Sequence, residues 1–132
     1  MLISTRGRYA LRVLIDLAEH RTDSYIPMRD IAERQGISLK YLERILPVLT
    51  KNGILEGLQG KNGGYRLSKP PEECTIGEIL RLTEGDLAPV ACLGMDAPPC
   101  ERAGECRTHP LWSEFYALVN RFFDSKTLAD LL

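Results

Sequence analysis

The chain has 132 residues, 44% of them apolar and 27% charged. That is enough for one compact core with a small appendage and too little for two full cores. No stretch approaches the roughly 18 to 20 apolar residues that span a bilayer, and Met1 to Arg6 holds no apolar run of signal-peptide length. The expectation is a cytoplasmic protein with no membrane partner. The net charge of -1 conceals an asymmetry: residues 1–70 carry 12 Lys and Arg against 7 Asp and Glu, and residues 71–132 carry 5 against 11. A basic segment joined to an acidic one suits a part that meets a polyanion beside a part that must not, because phosphate neutralisation by Lys and Arg supplies most non-specific nucleic-acid affinity.

From Ser4, an N-cap residue type, Ala10, Val13, Leu14, Leu17 and Ala18 recur at helical spacing and leave Arg8, Arg12, Asp16 and Glu19 elsewhere, which predicts an amphipathic helix ending near His20. His20 suits a helix's last turn and receives no function. Pro27 is placed to open a second helix of about two turns, with Ile31 and Ala32 inside and Gly36 as a left-handed cap. Ser38 then caps a third helix whose apolar residues Leu39, Leu42, Ile45, Leu46 and Leu49 run to Gly53. Pro47 interrupts it, so a kink near Glu43 or a restart at Pro47 is expected. Two helices joined by a tight glycine turn form a helix-turn-helix candidate.

Ile54-Leu55-Glu56 and Tyr65-Arg66-Leu67 flank Gln59-Gly60-Lys61-Asn62-Gly63-Gly64, a pattern for a hairpin that serves as a wing. After Pro70-Pro71, Thr75 and Glu78 form a capping box for a fourth helix closed by Gly85, and Cys74 packs ahead of the cap as a small core residue. Residues 86–108 have no periodicity and contain prolines, glycines and three cysteines. Pro110 opens a last helix with Leu111, Trp112, Phe115, Tyr116, Leu118, Val119, Phe122 and Phe123, apolar over most of its circumference and therefore expected to meet a second copy of the chain. The fold expected is mainly α with a small β-hairpin wing: a winged helix-turn-helix domain over 1–70, then a region over 71–132 comprising a ligand-bearing loop (86–109) and a long C-terminal dimerisation helix.

For DNA, the candidate residues on the third helix are Ser38, Lys40, Tyr41, Glu43 and Arg44, since the N-terminal half of a recognition helix reaches base edges in the major groove. Glu43 is repelled by phosphates but can accept from cytosine N4, which favours discrimination over affinity. Gln59 and Lys61 in the wing can meet phosphate or the minor groove, where the glycines let the backbone approach the duplex, and Arg6 and Arg8 add basic charge.

For metal, Cys92, Cys100, Cys106 and His109 are separated by seven, five and two residues. Three thiolates and an imidazole complete either a zinc site or one small iron-sulfur cluster, and the spacing does not choose between them. A thiol redox switch, with Arg102 or Arg107 lowering a thiol's pKa, uses the same cysteines but leaves His109 unexplained. The chain has no phosphate-binding glycine loop or nucleophile elbow and only two histidines, so no enzyme is expected.

Residues 4–12, Ile31-Ala32-Glu33-Arg34, Ser38 to Glu43, Gly60 to Tyr65 and Cys106 to Trp112 together resemble the IscR-type (BadM family) winged-helix regulators. The resemblance implies a homodimer held by the C-terminal helix on a palindromic operator, a [2Fe-2S] cluster on three cysteines and a histidine, and repression of cluster-assembly genes relieved when the cluster is lost. Family members that sense nitric oxide with a [4Fe-4S] cluster use a similar cysteine trio, and members that regulate cysteine metabolism carry no cluster. The chain departs from the pattern in three places: seven rather than five residues between Cys92 and Cys100, Gln59 where arginine is frequent, and Pro47.

Overall fold

The computed structural model describes residues 2–132; Met1, which opens the DNA-binding segment expected over 1–70, lies outside the described residues. The order is α1 (Thr5–Glu19), α2 (Met28–Gln35), α3 (Leu39–Lys51), an antiparallel hairpin of β1 (Leu55–Leu58) and β2 (Gly64–Leu67), α4 (Ile76–Glu84) and α5 (His109–Asp124), with 3-10 turns at Pro71–Glu73, Ala91–Leu93 and Leu128–Leu131. This is the mainly helical, single-winged architecture expected.

Local signals set most boundaries. Ser4 Oγ accepts from the Gly7 N–H and Ser38 Oγ from the Tyr41 N–H at 3.1 Å, filling orphan donors of α1 and α3. Pro27 is the N-cap of α2 rather than its first residue, and Gly36 ends that helix at φ 62°. In α3, Leu42, Ile45, Leu46 and Leu49 are buried. Leu39, expected on the same face, is instead 46% exposed, because it precedes the first full turn and sits at the edge of the packed stripe.

The helix neither ends nor restarts at Pro47. Four buried aliphatic side chains at roughly 1.5 to 3 kcal/mol each outweigh a proline penalty of about 3 kcal/mol. Pro47 also lies on the exposed side, where water can reach the carbonyl of Glu43 that it leaves without a donor.

The hairpin pairs Leu55 with Leu67 through Leu58 with Gly64, so residues 59–63 form its tip. A third segment joins it: Ile26 and Tyr65 exchange two backbone hydrogen bonds of 2.8 Å. Gly64 sits at φ 148°, and a Cβ there would overlap the Ile26 carbonyl. The glycine that sequence reasoning assigned to contact with a duplex is required by contact within the chain.

Thr75 caps α4 by accepting from the Glu78 N–H at 3.1 Å. The other half of the expected capping box is missing, since the Glu78 carboxylate pairs with Lys69 Nζ at 3.1 Å. A reciprocal box occurs instead at Thr127 and Asp130. Cys74 is fully buried, and burial pushes its thiol pKa up. Around it the C-terminal segment folds back: Leu128 N–H donates to the Cys74 carbonyl at 2.9 Å and Ile76 N–H to the Lys126 carbonyl at 2.8 Å. One apolar cluster runs from Ala10 through Leu49, Leu55 and Leu80 to Val119 and Leu128.

α5 lies against α4, where Arg81 donates to both Asp124 carboxylate oxygens at 2.8 and 2.9 Å and to Asn120 at 3.0 Å. Val119 is the one buried residue of α5, while Leu111, Trp112, Phe115, Leu118 and Phe122 are exposed.

Candidate nucleic-acid interface and cysteine segment

With its apolar stripe turned inward, α3 presents Ser38, Lys40, Glu43 and Arg44 to solvent from its N-terminal half. Lys40, Glu43 and Arg44 make no ion pair among the described residues. They are free to meet an external partner. Ser38 is already committed through its hydroxyl to the cap. Tyr41 differs from the others: it is half-buried, and its ring meets Tyr9 of α1 edge to face, with centroids 5.3 Å apart. Its body is a strut between helices, and only part of the residue is available to a partner.

The first helix of the motif, α2, is held against α1 by a network that sequence reasoning missed. Asp16, read as a residue of the polar face, is 0% exposed. It accepts two charge-assisted hydrogen bonds from Arg34, at 2.7 and 2.9 Å, and one from Gln35 at 3.0 Å. Arg12 in turn donates to the Gln35 side chain and backbone carbonyl. Burial pushes the Asp16 pKa up, but the hydrogen bonds from Arg34 and Gln35 and the charges of Arg34 and His20 outweigh it, holding the carboxyl below its ordinary value. The available signal was weak: Asp16 lies one position from Leu17 on a helix whose inward face is wider than the strict stripe.

The wing and α3 bound a groove of about 610 Å³ lined by Pro47, Thr50, Lys51, Leu58, Gln59 and others. Gln59 faces this groove; Lys61 is exposed on the hairpin tip, outside it. Arg6 lines a second cavity with Tyr41 and Glu84, which sets it beside the start of α3. Arg8 is exposed and donates to Thr5 Oγ1 at 3.3 Å, and it does not line that cavity. The N-terminus of α1 is tied to the end of α4, because Glu84 Oε1 accepts from Ser4 Oγ at 2.6 Å and from Ser4 N–H at 3.0 Å.

The segment between α4 and α5 has a different character. Its start is knotted by Asp86, whose carboxylate accepts from the N–H groups of Ala88 and Met95 at 2.9 and 3.0 Å. From Ala88 to Leu118 no apolar residue is buried. Cys92 is exposed, Cys100 and Cys106 are half-buried, and all three are free thiols. Cys106 Sγ lies 3.3 Å from Thr108 Oγ1. Hydrogen bonds from the Thr108 hydroxyl and the N–H groups of Thr108 and His109 pull its thiol pKa down. His109 stands one turn away, its Nδ1 3.4 Å from Ser113 Oγ. Among the described residues no three His, Cys, Asp or Glu side chains are gathered as a metal would need. Cys106 and His109 share a turn; Cys92 and Cys100 do not join them there, since no buried side chain draws the segment together. The donor set itself, three accessible thiols and an imidazole, has the chemistry of a cluster or zinc site.

A helix-turn-helix with an exposed polar recognition face and an adjoining wing defines a DNA-binding regulator of transcription. The chain matches the Rrf2 family, described as iron-dependent transcriptional regulators, over residues 3–132, and it belongs to that family. It is 39% identical over 132 residues to Protein rrf2 of Nitratidesulfovibrio vulgaris, covering 100% of this chain and 87% of the relative. It is 35% identical over 132 residues to the HTH-type transcriptional regulator IscR of Yersinia pseudotuberculosis, covering 100% and 79%. Among solved structures it is similar to CymR, the global cysteine regulator of B. subtilis, with TM-score 0.79, 34% identity and 99% and 95% of the two chains covered. It is also similar to T. potens IscR, with TM-score 0.76, 31% identity and 99% and 85% of the two chains covered. These relatives are regulators and not enzymes. No helix among the described residues is long and apolar enough to cross a membrane.

Proposed function

We propose that the protein is a homodimeric repressor whose binding to a palindromic operator is modulated by an iron-sulfur cluster, of [2Fe-2S] type, on Cys92, Cys100, Cys106 and His109, and that it controls cluster-assembly genes. The observation that carries this reading is the contrast among the four cysteines: Cys74 is sealed in the core, whereas the other three are accessible thiols in a segment with no core of its own. Held by Cys92, Cys100, Cys106 and His109, such a cluster would supply a labile crosslink between parts of the segment.

Lys40, Glu43 and Arg44 would read base edges, Ser38 and Tyr41 would set the start of the reading helix, and Gln59, Lys61, Arg6 and Arg8 would meet backbone or minor groove. The exposed row Leu111, Phe115, Leu118 and Phe122 of α5 is the surface for the second subunit. Ordering of 86–109 acts on DNA binding only if it differs between the two states of the dimer, and the α4 end, whose Glu84 is hydrogen-bonded to Ser4 at the start of α1, offers a route to the DNA-binding part.

The test is an absorption spectrum with iron and acid-labile sulfide analysis on protein purified without oxygen. Iron and sulfide with thiolate-to-iron charge-transfer bands support the reading, and a 4:4 rather than 2:2 stoichiometry per site would move it to the [4Fe-4S] alternative. Zinc alone, or no metal, would overturn it. One observation favours a second reading: the lowered thiol of Cys106 suits a redox switch, which the same preparation tests by reversible loss of titratable thiols on oxidation.

A further inference from the structure

We infer that Leu39 is a specificity-determining residue, reading the C5-methyl group of a thymine in the major groove. This rests on the placement of the α3 N-terminal half in that groove. Leu39 is the first residue of α3 and has the apolar side chain that its stripe would bury, yet it stays 46% exposed between the exposed residues Ser38 and Lys40. The other exposed apolar side chains have separate settings: the α5 row, the two chain ends, Met95 in the cysteine segment, Leu58 in the wing and Val48 further along α3. Leu39 alone stands among the polar residues at the leading end of the reading helix.

Leu39 and Glu43 are four residues apart and therefore neighbours on the helix surface. An apolar group beside a carboxylate matches two features of pyrimidine edges: the methyl of thymine and the N4 donor of cytosine, the latter being what Glu43 can accept. The same pair is poorly suited to guanine, which offers only the N7 and O6 acceptors in that groove. The juxtaposition thus points to adjacent pyrimidines, with thymine under Leu39.

The experiment uses the full chain, first to select preferred duplexes from a random pool, then to measure affinity for the selected duplex with each thymine replaced singly by deoxyuridine, which removes only the methyl. For the wild type, one thymine in each half-site is expected to weaken binding about fourfold when demethylated, corresponding to about 0.8 kcal/mol for one buried methyl-sized group. In Leu39→Ala that sensitivity disappears while the other positions keep theirs, and the thermal midpoint is unchanged because the side chain lies outside the core. Absence of any demethylation-sensitive thymine, or its persistence in Leu39→Ala, would overturn the assignment. A pool that enriches no sequence would overturn the major-groove placement itself, and Leu39 with it.

Discussion

The helix-turn-helix and the cysteine segment solve opposite problems. In the first, Asp16 of α1 holds α2 through Arg34 and Gln35, and the Leu42 to Leu49 stripe seats α3 on the core, so the reading face is built before DNA arrives. In the second, residues 88 to 108 bury no apolar side chain and hold their shape through backbone turns and Asp86. A preformed face gives affinity without an ordering cost. A segment without a core can respond to whatever binds its thiols.

Four sets of substitutions break or sharpen that contrast. The largest effect belongs to Asp16→Ala, which strands Arg34. We expect a loss of roughly 2 to 3 kcal/mol, below the full range for a broken buried pair because Arg34 is a third exposed; chemical denaturation measures it. The pH dependence has a defined sign. With the Asp16 carboxyl held below its unfolded value of about 3.9, its contribution is complete above that value and lost as pH falls through the folded one. The stability gap between wild type and Asp16→Asn therefore narrows below about pH 4, and a gap that widens there would refute the pairing argument.

Gly64→Ala comes next, at roughly 2 kcal/mol from the positive φ and the Ile26 carbonyl together, with DNA affinity falling in parallel as the wing shifts. Preserved melting would mean the wing does not depend on the Ile26 bridge. Replacing Cys92, Cys100 or Cys106 by Ala should change stability of the metal-free protein by less than about 0.5 kcal/mol while abolishing iron incorporation; a large loss of stability without metal would contradict a coreless segment. The smallest effect is Lys61→Ala, for which the slope of log affinity against log salt should fall by about one unit with sequence preference unchanged.

Much of the fold was legible because capping and periodicity are local. Ser4, Ser38, Gly36 and Thr75 each act where the sequence placed them. What stayed hidden depends on distant partners. Asp16 reads as a polar-face residue until Arg34 arrives, and Glu78 reads as half of a capping box until Lys69 claims it. Gly64 reads as a turn residue until Ile26 is opposite. The return of Leu128 to Cys74 has no counterpart in hydrophobic period, since the eight residues after α5 are too few to carry one. For the site, the polar residues of α3 could be picked out, but the outward turn of Leu39 could not, because an apolar residue next to an apolar stripe is assigned to it by default.

The anchoring of α5 is lopsided. Arg81 grips it at Asn120 and Asp124, Val119 enters the core beside them, and the tail after Lys126 is stitched down. Ahead of these fastenings only Tyr116 packs on the core, and Leu111, Trp112, Phe115 and Leu118 are uncovered. The helix is a beam clamped at one end, and its free end begins at His109. A small rotation at the clamp becomes a large sweep at Leu111, so in the proposed dimer the angle at which two such beams cross would be set by what holds the free end.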